Sequence, residues 1–269
     1  MHQKKVFDKY LALLGVEESS PSFDFLCKIV RAHLLKVPFE NISKLLYKKQ
    51  GMDDIPDLHT YLNGIEKYNF GGTCYANNFH LNQLLNHLGF DVMLCGADMK
   101  NPDVHLINIV TVEGHEYIVD GGYAAPFLEP LPRFLTGDYV INLGPEQFIL
   151  KPQDKNGLSI LEQYYNGEFK HWYTAKPIPR NIDEFRKVIN ASYSDGAMFM
   201  NIFRITRFTD SGSLVLRNLQ LTETTGTFIT SIEVPRNETP GIVETKFSIP
   251  ADVAEEALST IKDFKNAFD

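Results

Sequence analysis

The chain has 269 residues, 43% hydrophobic and 22% charged, and a formal net charge of −8. This is globular composition, which excludes wholesale disorder, and no apolar run reaches the roughly eighteen residues of a membrane span. The length suits one compact unit or two to three sub-domains, and the acidic balance without a long basic stretch argues against nucleic acid as the main partner.

Lysines precede a short apolar run at residues 10–16, a faint echo of a signal peptide. No small-x-small cleavage site follows, so the segment reads as a helix and the chain is placed in the cytoplasm. Phe25, Cys27, Ile29, Val30, Leu34 and Leu35 form the apolar face of a second helix that Pro38 ends. Leu81, Leu84, Leu85 and Leu88 recur at helical spacing, and Gly89 supplies a stop. From Asp91 the pattern changes to short, β-branched runs at residues 91–97, 104–112 and 116–120. Proline and glycine are frequent over 121–152, and 152–158 reads as a surface loop. Strands are expected at 199–208, 213–221, 228–234 and 243–249, joined by D-S-G, T-T-G and N-E-T-P-G turns. Pro250 then opens a last helix carrying Val253, Ala257, Leu258 and Ile261.

Three cysteines, Cys27, Cys74 and Cys95, make a poor disulfide framework and suit a reducing compartment. His80 and His87 lie seven residues apart on a helix with no third ligand nearby in sequence, which is too few for a metal site. Cys74 has a more telling setting. It follows Phe70-Gly71-Gly72-Thr73, two glycines that allow a tight bend and a threonine suited to an N-cap, so it falls in the first turn of a helix. The partial positive charge there favours thiolate over thiol. The competing reading is a small apolar residue filling a core gap, which is also the reading for Cys27 and Cys95. A cysteine nucleophile needs a base and a group to orient that base. His105 in one apolar strand and Asp120 at the end of the next are the candidates, although each alone reads as a core histidine or a turn former.

These residues resemble the arylamine N-acetyltransferase family. Its R-G-G-x-C pattern is matched by Gly71-Gly72-Thr73-Cys74, its His-and-Asp strand pair by the run from His105 to Gly122, and its P-F-E-N pattern by Pro38-Phe39-Glu40-Asn41. Phe70 replaces the family's arginine, Ala76 a residue that is commonly Glu in bacterial members, and the loop after Asp120 reads Gly121-Gly122-Tyr123-Ala124-Ala125-Pro126. The resemblance implies an α+β fold with a cysteine-protease-like Cys-His-Asp core. A helical bundle over 1–89 carries the nucleophile, a central β-barrel-like domain over 90–195 carries His and Asp, and an α/β lid spans 196–269.

It further implies a catalytic triad of Cys74, His105 and Asp120, and acetyl transfer from acetyl-coenzyme A to an arylamine, hydrazine or related amine through an acetyl-cysteine. No cofactor is bound permanently and no metal is needed. Asn101, Pro102, Gly122 and Ala124 correspond to coenzyme-contacting positions, and Phe39 and Tyr123 to the acceptor pocket. Arg204 and Arg207 are candidates for offsetting the coenzyme's negative charge, against a reading as solvated strand-face charges. The partners implied are the two small molecules, with neither nucleic acid nor membrane, and a homo-oligomer is left open. Two rival readings stand beside this one. The same triad serves a thiol hydrolase of papain or transglutaminase type or an amide synthase, and the scaffold serves a non-catalytic binding protein.

The pairing arithmetic of the central hairpin is an independent check. A two-residue turn at Glu113-Gly114 puts Val112 opposite His115 and Asp120 opposite Ile107, on the same face as His105 and diagonal to it. A three-residue turn would reverse every side chain and separate the two.

Overall fold

In a computed structural model, residues 2–265 are described, and among them the chain forms eight α-helices and thirteen strands in two sheets. The first helices are α1 (His2–Leu14) and α2 (Phe23–Lys36), followed by a two-residue strand β1 (Phe39–Glu40). Next come α3 (Ile42–Lys49), α4 (Leu58–Tyr68) and α5 (Cys74–His87). Gly15 at φ +68° ends α1, and the Ser22 side chain caps α2 by accepting from the Phe25 N–H. No helix among the described residues is long and apolar enough to cross a membrane.

The middle of the chain builds a curled eight-stranded sheet. Its strands are β2 (Asp91–Asp98), β3 (His105–Val112), β4 (His115–Val119), β5 (Leu131–Pro132), β6 (Tyr139–Leu143), β7 (Glu146–Leu150), β8 (Ser159–Tyr165) and β9 (Glu168–Pro179). Their order in the sheet is β5-β4-β3-β2-β9-β8-β7-β6, antiparallel throughout. β3 is buried on both faces. Val110 and Val112 pack with Tyr117 and Val119 against α1, α2, α4 and α5, while Ile107 and Ile109 face the inner cluster around Phe127, Phe148 and Tyr173. Each such aliphatic side chain contributes about 1.5–3 kcal/mol by burial, so β3 is pinned between two apolar layers.

After α6 (Arg186–Ala191) comes the second sheet, β10 (Arg204–Thr209), β11 (Gly212–Arg217), β12 (Gln220–Thr225) and β13 (Phe228–Glu233), with β1 added at its edge. Two helices, α7 (Thr239–Phe247) and α8 (Ala251–Ser259), cover one face of it.

Three expectations need correction here. The segment 243–249 is not a strand: most of it lies in α7. Its alternation of apolar and polar residues suggests period two, but Thr239, Val243 and Phe247 are the buried positions, spaced by four, and Pro240 sits in the first turn of the helix. The expected strand 213–221 is two strands, because Asn218 adopts a left-handed φ of 55° and turns the chain between β11 and β12. The strand expected from residue 199 begins at Arg204, after a short 3-10 turn at Met198–Met200. The proline- and glycine-rich stretch after 120 also contains β5, β6 and β7, whose short alternating runs are masked by their turns.

Two buried histidines make the fold sensitive to acid. His33 is held at about 3 by burial, with the neighbouring His80 adding to the effect. His80 is held at about 4 by burial, against hydrogen bonds to Gln83 and the Pro56 carbonyl. Both folded values lie below the unfolded value near 6.5, so their stabilisation is complete above that pH and is lost as pH falls towards 4. Each contributes a slope of up to about 1.4 kcal/mol per pH unit in that window. Urea unfolding from pH 7 down to pH 4.5 should show stability falling, with a shallower slope in His33→Gln. The same slope in both proteins would mean that His33 takes up its proton in the folded state.

Candidate active site

The nucleophile candidate is placed by a close backbone approach. A Cβ added to Gly71 would lie 1.9 Å from the Pro38 carbonyl oxygen, and one added to Gly72 would lie 2.8 Å from the Ala76 Cβ. Only glycine lets this loop lie against β1, where Gly72 bridges Phe39 and its carbonyl accepts from the Glu40 N–H at 3.1 Å. The chain then enters α5 with Thr73 at the N-cap and Cys74 as the first helical residue. The Thr73 hydroxyl makes no capping hydrogen bond, so the cap is a matter of backbone shape.

Where the family resemblance calls for an arginine, Phe70 is buried in the apolar cluster beneath the second sheet. The buried Glu40 carboxylate accepts from the Ser43 N–H at 2.9 Å, the Ser43 hydroxyl at 2.5 Å and the Gly71 N–H at 3.1 Å. Burial pushes its pKa above the ordinary carboxylate value, and these neutral donors oppose the shift. Lys44, also buried, is pushed down to about 7 by desolvation, with Cys74 acting in the opposite direction. Its ammonium group lies over the Tyr193 ring and donates to the Ser192 hydroxyl at 2.7 Å.

The base candidate and its partner are set by the β3–β4 hairpin. Val112 pairs with His115 and Asn108 with Val119, around a turn with φ of 52° at Glu113 and 80° at Gly114. Both values are left-handed, as a tight two-residue hairpin turn requires. This is the register that puts Asp120 on the face of His105, and His105 Nε2 lies 2.8 Å from Asp120 Oδ2 with both side chains fully buried. An ionised carboxylate only accepts, so Nε2 carries the proton and Nδ1 is left for Cys74. Burial alone would lower His105. The charge and hydrogen bond of Asp120, with the hydrogen bond and charge of Cys74, overcome it and raise His105 to about 10.

Asn78, one helical turn beyond Cys74, ties the helix to the hairpin. Its amide donates to Asp120 Oδ1 at 2.8 Å and to the Leu106 carbonyl at 2.5 Å, and its carbonyl accepts from the Gly121 N–H at 2.8 Å. The Gly122 N–H supplies a further donor to Asp120 Oδ1 at 3.0 Å. A Cβ on Gly122 would lie 2.6 Å from the Cys74 Cα, so Gly122 is a contact between the loop and the Cys74 backbone. Asn78 has only a weak signal in the sequence, an amide one helical turn after Cys74 that stands beside a second amide, Asn77.

The remaining site expectations divide. The Tyr123 ring is 5.6 Å from His105, 5.0 Å from Tyr173 and 6.1 Å from Phe127, and its hydroxyl is 2.8 Å from His171 Nδ1. Phe39, on β1, stacks edge-on with Phe199 at 5.5 Å. Ala124 adopts a left-handed φ of 62° beside Tyr123. Asn101 and Pro102 are exposed in the turn between β2 and β3, which closes with the Met99 N–H donating to the Asn101 carbonyl at 3.1 Å. Arg204 and Arg207, three residues apart on β10, lie on opposite faces of the second sheet. His80 and His87 are occupied elsewhere: His80 by Gln83 and Pro56, and His87 by stacking on Phe7 at 4.2 Å.

A helix N-terminus that presents a cysteine to a strand-borne histidine–aspartate pair, beside a curled antiparallel sheet, defines the class of protein. Comparison with known proteins then gives the family. A family model for N-acetyltransferase matches residues 22–256, and the chain belongs to that family. It is 30% identical over 137 residues to the Proansamycin X synthase of Amycolatopsis mediterranei, a match covering 47% of this chain and about half, 52%, of that synthase. It is 25% identical to a pineal gland isozyme of arylamine N-acetyltransferase from Gallus gallus, over 78% of this chain and 79% of the isozyme. Its fold is that of the Mycobacterium marinum arylamine N-acetyltransferase solved in complex with CoA, with a TM-score of 0.78 at 19% identity, covering 95% and 99% of the two chains.

The environments of the three cysteines generate a prediction. Burial, with the charges of Glu129 and Asp24, pushes Cys27 up to about 11, and burial pushes Cys95 to about 11. Neither thiol ionises near neutrality, whereas Cys74 has a helix N-terminus and an imidazole beside it. Iodoacetamide at pH 7 should therefore alkylate Cys74 first, as read by peptide mass mapping, and His105→Gln should slow that labelling. Faster labelling of Cys27 or Cys95 would remove Cys74 from the nucleophile's role.

Proposed function

We propose that the protein is an acyltransferase that moves the acetyl group of acetyl-coenzyme A to an arylamine, hydrazine or related amine through an acetyl-Cys74 intermediate. The observation that carries this reading is the 2.8 Å His105–Asp120 hydrogen bond, made on the same strand face that brings His105 to Cys74. Family membership and the relatives named arylamine N-acetyltransferase support an arylamine as acceptor. The complex of the Mycobacterium marinum protein with CoA supports a coenzyme A thioester as donor. In this reading residues 1–89 carry the nucleophile, 90–195 carry His105 and Asp120, and 196–269 form the lid, of which the last four residues lie outside the described part. The site works in the cytoplasm and holds no permanent cofactor.

The chemistry follows from the roles. His105 Nδ1 takes the Cys74 proton, and the thiolate attacks the thioester carbonyl. The tetrahedral oxyanion accepts from the Cys74 backbone N–H, a donor freed by its position at the start of α5. Collapse expels the coenzyme A thiolate, which takes the proton from His105. The amine then attacks the acetyl group, His105 accepts the amine's proton, and Cys74 leaves as thiolate to be reprotonated. Asp120 holds the ring in the tautomer that leaves Nδ1 to the thiol and stabilises its charged form.

Intact mass gives the test. Exposure to acetyl-coenzyme A alone should add one acetyl group, and an arylamine or hydrazine should then remove it. Cys74→Ala should take up none, and Cys74→Ser should be nearly inactive, because a hydroxyl ionises far less readily than a thiol. An acetyl group lost to water as fast as to amine would identify a thiol hydrolase, and no uptake at all would leave a binding protein.

The Tyr123 ring stands against His105 and anchors its hydroxyl on His171. Tyr123→Ser should change relative kcat/KM among amines of different size more than it changes the rate of Cys74 acetylation. Equal losses for every acceptor, traced to slow acetylation, would place Tyr123 on the donor side.

A further inference from the structure

Among the described residues Lys44 is the only buried lysine, 4% exposed, and no carboxylate forms an ion pair with it. A buried ammonium is ordinarily paired with an anion. Lys44 is instead held by neutral groups at the end of α6. It donates to the Ser192 hydroxyl at 2.7 Å, and that hydroxyl donates in turn to the Ile189 carbonyl at 2.6 Å, which leaves its lone pairs for Lys44. The same nitrogen stands 3.6 Å from the centre of the Tyr193 ring, and the Tyr193 hydroxyl is tied to the Asp54 carbonyl at 2.7 Å.

This cradle lies against the Cys74 end of α5. Lys44 and Tyr193 line one small cavity, of about 20 Å³, together with Gly72, Thr73, Tyr75 and Ala76, the residues on either side of Cys74. The loop leading into the helix, Phe70-Gly71-Gly72-Thr73, has no cation of its own. A helix start is itself partly positive, so a cation beside it is unfavourable unless an anion forms between the two. The surrounding groups leave one source for that anion. Burial raises Tyr47, Tyr75 and Tyr193 above the ordinary tyrosine value, so all three are neutral below pH 9. Glu40 is held by Ser43 and Gly71, Asp54 is paired with Arg186, and Asp53 and Asp57 are exposed. Cys74 remains. Burial pushes Lys44 down to about 7, and the negative charge of Cys74 opposes that shift. Such coupling is reciprocal, so the ammonium favours the thiolate as much as the thiolate favours the ammonium.

We propose that Lys44 is a second cationic support of the Cys74 thiolate, a positioning residue that acts from α3 while His105 acts from β3. The inference rests on the acyltransferase reading for the part Cys74 plays, and its test uses alkylation in place of transfer. The two supports differ in their pH range. His105 is raised to about 10 and keeps its charge through neutrality, whereas Lys44 loses its charge as pH rises through about 7. Below that value both cations act on the thiolate, and well above it His105 acts alone. The contribution of Lys44 is therefore an acid-side effect, which keeps the thiolate ionised to lower pH than His105 and the helix start would by themselves.

The experiment is the rate of Cys74 alkylation by iodoacetamide, read by peptide mass mapping from pH 5 to pH 9, in the wild type and in Lys44→Met. Methionine keeps the length of the side chain and removes its charge. Removing an unpaired buried cation should also raise the urea midpoint, so the variant stays folded for the measurement. Labelling of Lys44→Met should match the wild type at pH 9 and fall behind as pH drops below 7, to roughly 3–10-fold slower at pH 5. The ultraviolet absorbance of the thiolate should likewise be lost at a higher pH in the variant. Lys44→Arg, which is charged throughout this range, should keep most of the wild-type rate at pH 5. Superimposable profiles for the wild type and Lys44→Met would overturn the proposal. So would a loss by one constant factor at every pH, the pattern of a displaced loop, or a loss at pH 5 as large in Lys44→Arg as in Lys44→Met. If the profiles separate as expected and the wild type takes up no acetyl from acetyl-coenzyme A, the role of Lys44 stands and the acyltransferase reading falls.

Discussion

The structure turns on the register of one hairpin. Two residues, Glu113 and Gly114, make the turn, and their left-handed backbone fixes which residue of β4 faces which residue of β3. A slip by one position would send the Asp120 carboxylate to the helix-facing side and His105 would lose its partner. Apolar packing makes that slip expensive. Ile107, Ile109 and Ile118 fill the inner cluster while Val110, Val112, Tyr117 and Val119 fill the helix-facing one, so a slip would move both sets out of place. The hydrophobic pattern that folds the hairpin is therefore also what aligns the histidine with the aspartate.

The second requirement is that α5 meets this hairpin at a fixed depth. Gly71 and Gly72 allow contact with β1, Gly122 allows contact with the Cys74 backbone, and Asn78 bonds to Asp120, Leu106 and Gly121 at once. An aspartate held by Asn78, the Gly122 N–H and His105 has little freedom to rotate, which is the condition for orienting an imidazole. Glu40 plays a parallel part on the other side of the loop. With Phe70 standing where the resemblance calls for an arginine, its carboxylate is held by neutral donors, the Ser43 hydroxyl and the backbone N–H groups of Ser43, Gly71 and Ile42.

Much of this was legible in the sequence where the signal is local. The β3–β4 register follows from a glycine at a turn and a period of two, and the Cys74 helix start from two glycines and a threonine. The remainder depended on contacts distant in sequence. α7 alternates like a strand, and only the four-residue spacing of Thr239, Val243 and Phe247 against the sheet makes it a helix. The two arginines of β10 look alike in sequence, and the pairing of Thr206 with Phe39, 167 residues earlier by number, is what assigns Arg204 to the face that carries Phe39. Asn78 was overlooked because an amide on a buried helix face acquires its meaning from Asp120, which arrives from another element.

The central claim is that Asp120 holds His105 in one tautomer and favours its charged form. Nitrogen-15 NMR of a sample labelled in its histidine rings tests this most directly. The account predicts a His105 ring protonated at Nε2 and charged through neutral pH, titrating well above the ordinary histidine range towards about 10, with that value falling in Asp120→Asn. A His105 ring that titrates near 6.5, or that is indifferent to Asp120→Asn, would contradict it.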